Sequence, residues 1–263
     1  MASTTIHRDA SVVVQFRVLK ALILRDIRTR FFGNGLGYVV AILWPLTHIA
    51  LLLVIYSVLG RVPPYGGSVF QFLAIALVPT ISYMYMARFM MMSVTMNKPL
   101  LNFPIVKLLD LIVARALLEM VTACCCAALL AGILFVLDEP VAPRDPVQAV
   151  LAFLSTLLLG FGVGALFGIA ASKTPGMMLV ALLLNVLTYA TSGVLFMPDA
   201  MLEEVRYIFS FNPVLHAVEW MREAYYVGYV SMVLDKSYLV GFGAISLVLS
   251  LVIERVLRAF LLR

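Results

Sequence analysis

Charge is scarce in this chain. Of its 263 residues only 13% are Asp, Glu, Lys or Arg, whereas 63% are hydrophobic, and the mean hydropathy is +1.05. A soluble domain of this length needs far more charge to cover its surface, so the class of soluble enzymes and binding modules is excluded. Cysteine is scarce too, and the three present, Cys124, Cys125 and Cys126, are consecutive. Adjacent cysteines have neither the spacing of a zinc site nor that of a disulfide framework, and they read as small packing residues. The dipeptide Gly-Lys occurs nowhere; without a phosphate-binding loop the chain does not hydrolyse nucleotide itself. Nor is there the alternating polarity of a membrane barrel.

What is present is long apolar runs. About 20 apolar residues are needed to cross roughly 30 Å of hydrocarbon, and six stretches qualify: 36–59, 69–93, 111–137, 147–171, 177–197 and 238–257. Backbone groups in lipid must be satisfied within the segment, which makes these helices. The expectation is an all-α membrane protein, a single transmembrane domain over 1–263 with six transmembrane helices. Arg17, Lys20, Arg25, Arg28 and Arg30 interrupt the first apolar stretch, so no cleaved signal peptide is expected there.

Basic residues set the orientation. With the N-terminus inside, fourteen of the nineteen Lys and Arg fall on the inner side and five on the outer. Both termini are therefore expected in the cytoplasm. Residues 11–32 place Phe16, Leu19, Ile23 and Ile27 on one stripe and Arg17, Arg25 and Arg28 opposite, the pattern of an N-terminal amphipathic interface helix lying in the inner headgroup layer.

Within the spans, Trp44-Pro45 predicts a kink. A lone His48 is expected to hydrogen-bond a neighbouring helix. Tyr85 and Phe89 share a helix face with Arg88 and Met92, while Tyr83 points nearly the opposite way, so the two faces are not expected to line a pathway equally. Arg115 and Glu119 are four apart and suit a salt bridge. In GFGVGALFG, Gly160, Gly164 and Gly168 form a small-residue stripe for close helix packing; a nucleotide fingerprint would have to follow a strand.

The polar residues gather in FNPVLHAVEWMREAYYVGY, 211–229. Asn212 and Pro213 are a strong helix start, and Asp199 is placed to cap a preceding short helix whose first turn carries Glu203 and Glu204. Two helices too short to span and too apolar to float free suit a re-entrant outer helical hairpin over 198–229, between spans five and six. His216, Glu219 and Glu223 share one face, and with a water they have the makings of a metal site. Against that stands the small number of histidines and cysteines; no metal is expected.

LGYVVAILWPLTHI, LLNFPIVKLLDLIVARALLE and SGVLFMPDAMLEEVRYIFSFNPVLHAVEWMREAYYVGY together resemble the ABC-2 type permeases, most of all the capsular polysaccharide export inner-membrane proteins of Gram-negative bacteria. The resemblance covers nearly the whole chain. It implies a permease subunit with no catalytic residues and no cofactor of its own, working as a homodimer with two copies of an ABC ATPase subunit that uses ATP and Mg. It further implies export of lipid-linked polysaccharide across the bacterial inner membrane towards a periplasmic adaptor and an outer-membrane exporter, with no nucleic-acid partner. O-antigen or teichoic-acid permeases share the architecture and are the alternative; a membrane-embedded glycan-transfer enzyme would need more converging titratable groups than are present.

By the same resemblance 95–106 is the coupling loop that docks on the ATPase, carried by Asn97, Lys98, Leu100, Leu101, Asn102, Phe103 and Pro104. A hydrophilic polymer needs a wet, protein-lined path. Tyr38, Trp44, Phe72, Tyr83 and Tyr85 are the expected channel aromatics, with Arg28, Arg30 and Arg88 guiding an acidic polymer or its phosphate-bearing lipid end.

Overall fold

The computed structural model describes residues 2–30 and 36–261, with side chains over 13–30 and 36–256. Among these residues every regular element is helical: α1 (Ala2–Thr29), α2 (Leu36–Val58), α3 (Val69–Asn97), α4 (Leu108–Val136), α5 (Pro146–Ala171), α6 (Gly176–Ala190), α7 (Glu203–Phe209), α8 (Pro213–Tyr225) and α9 (Lys236–Leu261), with short 3₁₀ turns at Lys98–Asn102 and Pro198–Ala200. Five helices are long and apolar enough to cross a membrane: α2, α3 with the turn that follows it, α4, α5 and α9.

Helix starts obey local chemistry. Ser68 accepts from the Gln71 amide (3.2 Å) at α3, Asp145 from Gln148 (3.1 Å) at α5, and Asn212 from Val214 (2.9 Å) with Pro213 in the first turn of α8. Asp199 behaves otherwise than expected: it accepts the Met232 amide at 3.2 Å, and α7 begins after Leu202 with no side-chain cap. The loop before α9 thus competes successfully for that carboxylate.

α3 and α5 form the centre of the bundle. In its most apolar stretch α3 is 67% buried, against 28% for α2 and α9, so α2 and α9 form the perimeter. Close approach depends on α5's glycines. A Cβ on Gly160, Gly164 or Gly168 would come within 2.6–3.0 Å of Met86, Ala87, Met90 or Met91 on α3, while one on Gly162 would sit 2.5 Å from the Gly243 carbonyl of α9. The stripe expected from spacing is present, and a second contact on the opposite face adds Gly162 and Gly243.

Two expected elements differ. The fifth stretch, 177–197, is helical only as far as Ala190; at 1.5 Å per residue its 15 residues span roughly 22 Å. Thr191 and Ser192 donate their hydroxyls back to the Leu187 and Tyr189 carbonyls, and Gly193 takes φ +80°, a left-handed conformation that ends a helix readily. The hydrophobic run continues, but the backbone turns. On α1 the buried side is rotated from the expected stripe: Leu22 and Asp26 are buried and Leu19 and Ile23 partly so, while Phe16 is 67% exposed. Asp26 must face α4 to meet Arg115, and that polar bond sets the rotation.

Candidate functional site

At the end of the bundle that carries the α3–α4 connection, α1, α2, α3 and α4 enclose a cavity of about 610 Å3. Arg25, Arg30, Arg88 and Arg115 line it, with Asp26 the one acidic residue of the wall among the described residues, and Trp44, Tyr85 and Phe89 supply aromatic surface. The guanidinium carbons of Arg30 and Arg115 lie 4.2 and 4.8 Å from the centre of the Phe89 ring, so one ring supports two cations.

Behind the cavity the charges are wired together. Glu119 Oε2 accepts from Arg30 at 3.0 Å, and its other oxygen lies 2.9 Å from Arg115 Nε, an ion pair whose angle is too poor for a hydrogen bond. Arg115 also reaches Asp26 at 3.3 Å, Asp26 accepts from Arg25 at 2.5 Å, and Arg25 donates to the side chain of Asn97. Buried charges are costly unless paired. Pairing here remains incomplete, for the buried Arg30 Nε and Nη1 have no hydrogen-bond partner among the described residues. Four arginines against Asp26 and Glu119 leave the wall with excess positive charge, a setting for an anion.

The expected site residues divide sharply. Trp44 (58% exposed), Tyr85, Arg88 and Arg30 meet at this cavity. Phe72 does not: it is 2% exposed near the other end, 4.6 Å beneath the Arg222 guanidinium. Tyr83 is buried in the contact of α3 with α5 and α6, because the glycines of α5 draw that face of α3 inward. Tyr38 shares a hydrogen bond with Thr122 (3.2 Å) away from the cavity, and Arg28 is exposed on α1 outside it. Sequence reasoning left Arg25, Phe89 and Arg115 out of the site; the four-residue spacing of Phe89 from Tyr85 was the available signal.

Along the α3–α4 connection, Leu100 and Leu101 pack inward while Lys98, Asn102, Phe103 and Pro104 are exposed. A rigid turn with an apolar anchor and a mixed outer face results.

At the opposite end the clustered polar residues of α8 work separately. Glu219 and Arg222 are fully buried and joined at 2.6 Å. Arg222 donates further to the carbonyls of Gly193 (2.6 Å) and Phe196 (3.3 Å), and Tyr229 donates to Glu219 at 2.5 Å. Glu223 accepts the Ser231 amide at 3.1 Å. His216 accepts the Asp235 amide on Nδ1 (2.9 Å), which leaves Nε2 to donate to the Ser210 carbonyl (2.7 Å). The shared face of His216, Glu219 and Glu223 thus converges on no common point, and no group of His, Cys, Asp and Glu among the described residues is arranged to hold a metal.

The neutral form of His216 is required by that geometry, since a proton on Nδ1 would face the Asp235 N–H. Burial pushes its pKa below the ordinary histidine value, partly offset by the Ser210 bond and by Asp235 and Glu219. A lowered folded pKa means a contribution that is whole above about pH 6.5 and lost as pH falls through the folded value. Thermal unfolding of the purified protein should therefore show a stability loss on acidification that is shallower in His216→Gln; parallel pH profiles would exclude the assignment.

Residues 17–226 match the family model described as ABC-2 type transporter. The chain is 32% identical over 243 residues to the Polysialic acid transport protein KpsM of Escherichia coli, covering 92% of this chain and 94% of that protein. It is 23% identical over 216 residues to the Capsule polysaccharide export inner-membrane protein BexB of Haemophilus influenzae, 82% of each, and 22% identical over 243 residues to the Capsule polysaccharide export inner-membrane protein CtrC of Neisseria meningitidis, 92% of each. An all-helical bundle with several membrane-length helices agrees with such relatives. By the extent of these matches, the chain belongs to the ABC-2 type transporter family, as a membrane-embedded transport subunit and not an enzyme.

Proposed function

We propose that this chain is the inner-membrane permease of an exporter of lipid-linked capsular polysaccharide, driven by a separate ABC ATPase. The observation that carries the reading is the arginine- and aromatic-lined cavity, which adjoins the exposed turn at Lys98–Asn102. Relatives named for polysialic acid transport and capsule polysaccharide export support the same substrate class.

In this reading the end with α1 and the α3–α4 connection faces the cytoplasm, as do both termini. α1 lies in the inner headgroup layer and presents Arg17, Lys20 and Arg28 to lipid phosphates. α6 and the run to Met197 complete a sixth crossing, and α7 with α8 form a re-entrant hairpin at the outer mouth. Two copies make the working unit, each with an ATPase bound at 95–106. A periplasmic adaptor and outer-membrane exporter take the polymer onward.

The chemistry follows from the wall. The exposed Arg88 guanidinium, backed by the positive charge of Arg25, Arg30 and Arg115, holds the anionic end of the substrate. Trp44 and Tyr85 offer flat surfaces to the C–H faces of sugar rings and impose no directional bond, so a polymer can slide. Because Asn97 is held by Arg25, whose neighbour Asp26 pairs with Arg115, movement of the docking turn reaches the cavity wall through a short chain of bonded groups.

Complementation of a strain lacking its own permease tests this. Arg88→Ala and Tyr85→Ala are expected to lower surface polysaccharide about tenfold, the effect of roughly 1.4 kcal/mol, at unchanged protein level. Lys98→Glu combined with Phe103→Ala should leave the partner's ATP hydrolysis intact while export fails. Normal surface polysaccharide from all of these variants would overturn the proposal.

A further inference from the structure

A second cavity, of about 770 Å3, opens at the opposite end of the bundle. Three separate pieces of chain wall it: the α2–α3 connection at Pro64 and Tyr65, the segment after α6 from Leu195 to Met201, and the α8–α9 connection at Gly228 to Val230. Nothing in the transport reading so far uses it.

Its construction is aromatic and held in place from behind. Tyr65 stands edge-on to Tyr226 and Tyr229, with ring centres 5.1 and 5.0 Å apart. The approach of Tyr226 requires glycine at 66, where φ is +80° and a Cβ would lie 2.8 Å from the Tyr226 ring. Tyr229 is anchored by Glu219, and Phe196 by ring contact with Phe209 at 5.6 Å and by the bond from Arg222 to its carbonyl. Strong anchoring of rings that border open space is unusual for side chains that serve only as filler.

The polar groups are equally specific. Asp199 lines the cavity and uses one carboxylate oxygen for the Met232 amide, leaving the other to accept. The Tyr226 hydroxyl, just behind Tyr65, is buried with no hydrogen-bond partner among the described residues. No lysine or arginine among the described residues lines the wall, in contrast to the four arginines of the first cavity. A phosphate or carboxylate would meet one like charge and no cation. A hydroxyl-rich ring meets aromatic faces for its C–H surface and a carboxylate for its hydroxyl protons.

We propose that this cavity is a second glycan subsite, which takes the uncharged, hydroxyl-bearing face of a pyranose unit by stacking on Tyr65 and Phe196 and hydrogen bonding to Asp199. It rests on the reading that the cargo is a polysaccharide. The two cavities then divide the work: cations at one end hold the charged terminus, and aromatic rings at the other guide the emerging sugars.

Saturation-transfer NMR on the full chain in nanodiscs tests the subsite without transport, using two lipid-free probes, maltohexaose and a short α2,8-linked sialic acid oligomer. Transfer to ring protons is expected for both, with tighter binding of the neutral probe. Tyr65→Ala and Phe196→Ala should weaken binding about five- to tenfold, the scale of one lost stacking contact. Asp199→Asn, an isosteric change at a partly exposed position, carries the test should the aromatic variants fail to fold. Unchanged binding in Asp199→Asn and either aromatic variant, or preference for the acidic probe, would overturn the subsite. So would photo-crosslinking from position 65 that captures a periplasmic protein in cells while neither probe binds, for the surface would then be a protein dock. If Arg88→Ala lowers surface polysaccharide while these variants alter neither binding nor export, only the subsite is wrong; if Arg88→Ala also has no effect, the export reading itself fails.

Discussion

Arg222→Met is expected to destabilise the protein by about 3–5 kcal/mol, the usual cost of leaving one member of a buried ion pair without its partner. Both Arg222 and Glu219 are fully buried. The arginine also satisfies two backbone carbonyls, at Gly193 and Phe196, in a segment with no helix of its own. Its loss leaves the Glu219 carboxylate with Tyr229 but no counter-charge, deprives two carbonyls of their donor, and frees the stretch 193–196 from its side-chain anchor to α8. Glu219→Leu should cost a similar amount, because it leaves a fully buried guanidinium without its counter-charge, and the double variant less than the sum of the singles. Glu223→Ala is the contrast: its ion pair with Lys236 is long at 3.9 Å and partly exposed, and beyond it the carboxylate holds the Ser231 amide, so a change of about 1 kcal/mol is expected. Detergent thermal unfolding of the four proteins reads the difference; equal effects of Arg222→Met and Glu223→Ala would show that the buried pair carries no special burden.

Gly162→Leu and Gly164→Leu should be nearly as damaging, for a different physical reason. A Cβ on Gly164 would lie 2.6 Å from the Ala87 carbonyl and 2.8 Å from its Cα; on Gly162 it would lie 2.5 Å from the Gly243 carbonyl and 2.8 Å from the Leu247 amide. These neighbours are backbone and cannot rotate aside, so α5 must move away from α3 or α9. Overpacking of a core costs about 1–3 kcal/mol when side chains can adjust, and the upper end or beyond is expected here. Gly132 on α4 has no neighbour within 4 Å of such a Cβ, and Gly132→Ala should be neutral or gain up to about 1 kcal/mol from helix propensity. Yield of folded protein from membranes and its melting temperature would separate the two classes. If Gly162→Leu and Gly132→Ala behaved alike, close approach of α5 would not be what holds the bundle together.

Reading the sequence went furthest where the physics is local. Asn212 and Pro213 start α8 because a cap needs only the next two or three residues. Gly160, Gly164 and Gly168 announce a packed face because their spacing matches the helix repeat. The Arg115–Glu119 pair was legible at four residues' separation. Beyond that range reasoning faltered. Local spacing makes Asp199 a cap, whereas the Met232 amide, 33 residues away, holds it. Hydrophobicity alone extends the fifth span over 177–197, although the backbone turns at Gly193 with Arg222 on its carbonyl. Phe72 and Tyr83 looked like Tyr85 as candidates, and only their burial separates them.

Hydropathy and glycine spacing by themselves determined that this is a helical membrane protein, where most of its long apolar helices lie, and which kind of residue brings them close, since each depends on the bilayer or on neighbours within one or two turns. Only the tertiary structure decided which face of α3 looks into a cavity, how α1 is rotated, and that Arg30, Arg115, Asp26 and Glu119 form one connected group. Those outcomes depend on partners up to 89 residues apart, and the free energy of a buried charge or aromatic ring is set by whatever the rest of the chain places around it.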